Sequence, residues 1–124
     1  MSSVKDFEPI FQRLRSILQP FEKRLTVTAD TTEGYSLDTP FASEKYQKPL
    51  FFGAAQMKKN YVSFYLMPVY IYPDLLNGMS PELRKRMQGK SCFNFSKLDE
   101  ALLAELAMLT QTGFDHYVAD ELVR

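Results

Sequence analysis

Two apolar runs, "PLFFGAAQM" and "YVSFYLM", flank the polar tripeptide "KKN". Nothing else in the chain limits its fold as tightly. Each run is short and rich in β-branched or aromatic residues, and the separation is that of a hairpin. Asn60 is the turn residue that tolerates a positive φ. Side chains on a strand alternate between faces. Val62, Phe64 and Leu66 therefore form an apolar stripe, opposed by Tyr61, Ser63, Tyr65 and Met67. A three-residue turn pairs Met57 with Tyr61, Ala55 with Ser63 and Gly53 with Tyr65. Phe52 and Ala54 then join the apolar stripe, which is the expected seat for helices. The tyrosines lie beside Gly53 and Ala55, an arrangement in which rings cross small neighbours.

The flanking segments supply those helices. Val4, Phe7, Ile10, Phe11, Leu14, Ile17 and Leu18 recur at helical spacing, and Pro20 ends or kinks the run. "RLTVTADTT" predicts a strand over about Leu25–Thr31, and a second short strand follows near Tyr35–Asp38. Ser80-Pro81-Glu82 carries the cap and proline of a short helix running to about Met87. "SCFNFS" predicts the last strand, with Cys92 and Asn94 on one face and Phe93 and Phe95 on the other. Asp99 caps a final helix to about Leu122, whose stripe is Leu102, Leu106, Leu109, Gly113 and Tyr117. Gly113 marks a kink or a close helix contact.

The expected fold class is α+β: two layers, an antiparallel sheet of about five strands, helices on one face and a long C-terminal helix. With 124 residues the chain reads as one domain, 1–124. Fifteen basic residues balance fifteen acidic ones. That balance lacks the electrostatic footprint of a general nucleic-acid binder. No apolar run is long enough to span a bilayer, and the first fifteen residues have no secretory apolar core. The single cysteine, Cys92, suits a reducing compartment, so a cytoplasmic setting is expected.

Catalytic and metal constellations are sparse. His116 and Asp120 are four residues apart on the last helix. Two ligands make a poor metal site, and His116 fits better as a surface residue near a helix end. Cys92 needs a base to act as nucleophile, and His116 is the only histidine. Asp30, Glu33, Asp38 and Glu44 are loop carboxylates available for acid–base work. Arg84, Lys85, Arg86 and Lys90 offer cations for a phosphate or carboxylate. "MQGKS" lacks the first glycine of a phosphate-binding loop and precedes a strand rather than a helix.

"KPLFFGAAQMKKNYVSFYLMPVY", "SPELRKRMQGKSCFNF" and "DEALLAELAMLTQTGFDHY", in that order, resemble the YdhG-like superfamily of small bacterial domains. The resemblance runs from about Tyr35 to Tyr117. It implies the same two-layer α+β fold and carries no catalytic motif. Some relatives are frataxin-like iron chaperones serving iron–sulfur cluster or haem assembly, with an acidic ridge on the first helix and edge strand. The first helix here places Asp6 and Glu8 among Lys5, Arg13 and Arg15, which departs from that ridge.

The leading functional expectation is a non-enzymatic binding or adaptor module without cofactor, for a small ligand or a protein. Its surface is drawn from Tyr61, Tyr65, Tyr70, Arg84, Arg86 and Lys90, with Tyr70 and Tyr72 in a loop folding back over the sheet. An iron chaperone, and a small enzyme using Cys92 or the loop carboxylates, are the alternatives. Self-association into a homodimer through one sheet face is a further expectation.

Overall fold

The structure, a computed structural model, describes residues 7–123. The expected start of the first helix at Val4, and the charges of Lys5 and Asp6, lie outside the described residues. Helix α1 (Glu8–Leu18) leads through a 3-10 turn at Gln19–Phe21 into strands β1 (Thr26–Asp30) and β2 (Gly34–Asp38). Strands β3 (Phe51–Met57) and β4 (Val62–Leu66) follow, then the short helices α2 (Met67–Ile71) and α3 (Pro81–Arg84). Strand β5 (Cys92–Phe95) and helix α4 (Glu100–Ala119) complete the fold. The five strands are antiparallel and lie in sequence order, β1-β2-β3-β4-β5. The two-layer α+β class is therefore observed.

The apolar stripe holds as expected: Val62, Phe64 and Leu66 are fully buried. The pairing of β3 does not. Met57 faces Val62, Ala55 faces Phe64, Gly53 faces Leu66, and Ala54 faces Tyr65. The connection is residues 58–61, closed where the Lys58 N–H donates to the Tyr61 carbonyl at 2.8 Å. One extra loop residue flips every partner, because strand parity has a period of two. Tyr61 thus sits in the turn, and Asn60 keeps a negative φ. Gly53 and Ala55 belong to the helix-covered face and Ala54 to the other.

Phe52 still reaches the core, by a different route. The β2–β3 register slips between Leu37↔Gly53 and Asp38↔Phe51, so Phe52 is the extra residue of a bulge. The bulge lets two consecutive positions face the helices. A Cβ on Gly53 would lie 3.0 Å from Leu18 Cδ2, while the Phe52 ring meets Phe114 at 5.8 Å and Tyr117 at 5.5 Å.

Helix α4 begins where the sequence puts it: Asp99 accepts from the Leu102 N–H at 3.3 Å. It ends at Ala119 rather than Leu122, and Glu121 beyond it takes a φ of 60°. Its buried stripe includes Thr110, whose hydroxyl is satisfied by donating to the Leu106 carbonyl at 2.8 Å. Tyr117 donates its phenol to the Phe51 carbonyl at 2.7 Å, tying α4 to the bulged strand.

That phenol yields a pH prediction. Burial pushes the Tyr117 pKa up, and burial also raises those of Tyr35 and Tyr72. A raised folded-state pKa means stability that is whole below the ordinary tyrosine value of about 10 and lost as pH rises through the folded value. Urea midpoints should fall between pH 8 and roughly pH 11. Tyr117→Phe should lower stability at neutral pH by about 1 kcal/mol and flatten, without abolishing, the alkaline fall. A variant with the unaltered alkaline slope would assign that slope to Tyr35 and Tyr72 alone.

Candidate functional site

Helix α2 stands where the sequence reads as a loop. Pro68, which ends the pairing of β4, is also a favourable opening residue for a helix, since its fixed φ suits the first turn. Tyr70 and Tyr72 therefore project from α2 and its C-terminal edge rather than from a folded-back loop. Helix α3 is shorter than expected. Ser80 caps it, accepting from the Leu83 N–H at 3.1 Å, but it stops at Arg84 instead of Met87. The chain then runs beside β5. Asn94 N–H donates to the Arg86 carbonyl at 2.8 Å and Gln88 N–H to the Cys92 carbonyl at 2.9 Å. This strip covers the outer edge of β5, as sheets commonly protect an edge.

Between α2 and the 84–90 strip lies a cleft of about 950 Å³. Val69, Ile71, Pro73, Leu76 and Met87 give it an apolar lining, and Tyr46 and Tyr70 add rings. Three cations reach it: Lys45, Arg84 and Lys90. Among the described residues the lining contains no carboxylate. Gly89 supplies the turn, with a φ of 83° that a side chain would strain. Beyond that turn the Lys90 ammonium stands 5.8 Å from the centre of the Tyr70 ring. Lys45 stands 5.5 Å from the Tyr46 ring in the same manner. Tyr70 is 54% exposed.

The expected surface residues therefore divide. Tyr70, Arg84 and Lys90 share the cleft. Tyr61 and Arg86 line a separate shallow hollow of about 280 Å³ with Lys85, Asn94 and Ser96. Tyr65 stands apart from both, half-buried on the sheet face opposite Val62, Phe64 and Leu66, paired with Ala54 and Cys92. Sequence reasoning missed Lys45 and Tyr46, which the β2–β3 connection brings in from a distance. It also missed the walls Val69 and Ile71, whose signal was the helix-opening proline.

The alternative chemistries are dispersed. Cys92 is half-buried and donates to Asn94 Oδ1 at 3.4 Å, and burial raises its thiol pKa. His116 lies on α4, across the sheet, with its ring 4.8 Å from that of Tyr72. Asp120 accepts the Tyr72 phenol at 2.5 Å. Asp30 pairs with Arg15 at 2.9 Å near the β1–β2 turn that carries Glu33, whereas Asp38 sits at the far end of that hairpin. Glu44 lines another hollow with Asp120 and Glu121. Among the described residues, no three His, Cys, Asp or Glu side chains gather as a metal-binding group. No described helix is long and apolar enough to cross a membrane. Comparison with protein-family models, curated proteins and solved structures returns no match to this chain.

Proposed function

We propose that this protein is a non-enzymatic binding module whose small-molecule site is the cleft between α2 and residues 84–90. The carrying observation is convergence: Tyr70, Arg84 and Lys90 meet on one concave, apolar-walled surface. Its volume of about 950 Å³ falls in the range of sites that enclose a small organic ligand. A concave wall favours a small ligand over a flat protein partner. The proposal includes membership of the YdhG-like superfamily and a reducing, cytoplasmic setting for the Cys92 thiol.

Titration with N-phenyl-1-naphthylamine, an uncharged fluorescent probe, tests the site. One saturable binding event is expected. Tyr70→Ala should weaken it roughly three- to tenfold, the scale of one lost aromatic contact. Tyr70 is largely exposed, so the variant should keep the wild-type circular dichroism spectrum. Non-saturable binding, or identical affinity in Tyr70→Ala, would sink the proposal.

A further inference from the structure

We infer that the ligand of this cleft is an amphipathic anion: an apolar, ring-sized body carrying one carboxylate, phosphate or sulfonate head held by Arg84 and Lys90. The inference rests on the binding reading above and adds the ligand's charge and its orientation.

The argument is one of unmatched charge. Two ion pairs are found among the described residues, Arg13 with Glu100 and Arg15 with Asp30. Neither involves a cation of the cleft. Lys90 instead lies over a tyrosine face, a contact that leaves its ammonium hydrogens free for an acceptor. Arg84 reaches the same space from the end of α3. Its guanidinium can grip a two-oxygen head in parallel hydrogen bonds. Two cations beside an apolar wall, with no carboxylate among the described lining residues, form an electrostatically uncompensated site. An anion compensates it. Opposite charges of this kind gain most where water is partly excluded.

The orientation follows from the neighbours. Lys45, the third cation, also borders the hollow that holds Glu44, Asp120 and Glu121. Those carboxylates repel an anion from the Lys45 side. The Arg84–Lys90 side has no such neighbour among its described lining residues. The head therefore sits against Arg84 and Lys90. The body lies along Val69, Ile71 and Leu76 and against the Tyr70 ring, where burial of apolar area supplies the affinity. A purely inorganic anion would leave that wall wet, and a neutral apolar body would leave both cations unmatched.

The experiment pairs two probes with the same aromatic body. 1-Anilinonaphthalene-8-sulfonate carries an anionic head, and N-phenyl-1-naphthylamine does not. The wild type should bind the sulfonate more tightly, and only that affinity should fall with added salt. The double variant Arg84→Gln, Lys90→Gln should lose about tenfold or more for the sulfonate, the scale of charge-assisted hydrogen bonds. Its affinity for the neutral probe should change less than twofold. Lys85→Gln, altered in the neighbouring hollow, should leave both affinities unchanged. Equal loss for both probes, no loss for the sulfonate, or an equal loss in Lys85→Gln would each overturn the anionic head. Failure of the neutral probe to bind at all would instead strike the binding reading on which the inference rests.

Discussion

Phe52→Ala should lower the unfolding free energy by about 3–5 kcal/mol, the range for truncating a fully buried aromatic ring. The Phe52 ring is wholly buried and touches three others: Phe21 at 5.8 Å, Phe114 at 5.8 Å and Tyr117 at 5.5 Å. Those partners come from the turn after α1 and from α4, so one side chain ties both long helices to the sheet. Phe21 and Phe114 also meet each other at 4.8 Å, which closes the cluster. The neighbours are large rings held on separate elements, and they cannot collapse into the space without moving a helix. Such a loss is a large share of the stability of a domain this size, about 5–15 kcal/mol. Urea denaturation should show a lower midpoint with an unchanged slope. A loss under about 1 kcal/mol would mean that the cluster repacks freely.

Gly113→Ala should also destabilise, against helix propensity. Alanine in a helix interior is favoured over glycine by about 1 kcal/mol. Here a Cβ would lie 2.7 Å from Pro68 Cβ and 3.0 Å from Pro68 Cγ. The obstacle is a rigid ring in the first turn of α2, which cannot swing aside as a flexible side chain can. Overpacking of this kind costs about 1–3 kcal/mol. The expected net loss is about 1–2 kcal/mol. The functional effect should be the more telling one. Relief requires α2 to move, and α2 carries Val69, Tyr70 and Ile71, one wall of the cleft. Affinity for the neutral naphthylamine probe should therefore fall in Gly113→Ala although residue 113 does not line the cleft. A variant that is more stable and binds the probe normally would show that α4 and α2 part without consequence.

Both predictions bear on how much could be read in advance. Gly113 was legible as a break in an apolar stripe, and a close helix contact was one of two readings. Choosing between them required knowing that Pro68 lies opposite. Parity alone puts Phe52 on the helix face only in a register one residue away from the observed one, and the bulge returns it there. The capping residues Ser80 and Asp99 were readable because a cap is a local hydrogen bond, complete within three residues. The length of α3 was not. Its second turn competes with backbone pairing to β5, a partner later in the chain.

The candidate site shows the same division. Arg84 and Lys90 stood out as members of a basic run, but so did Lys85 and Arg86, and nothing local separates the two pairs. The end of α3 and the Gly89 turn send the first pair to the cleft and leave the second pair beside Tyr61.

By itself, the sequence specified what periodicity and local hydrogen bonds can encode: the α+β class, the five strands, the long terminal helix, and the Val62-Phe64-Leu66 core stripe. Burial of one face makes those patterns unambiguous, since the apolar positions can point only one way. Tertiary structure alone decided the β3 register, the bulge at Phe52, and which tyrosines and cations share a cavity. The cleft and the α2–α4 contact join residues tens of positions apart, such as Tyr46 with Tyr70 in one lining and Pro68 against Gly113, and the register and bulge are fixed by the strands as they pair. Their energies arise only when the layers close on each other.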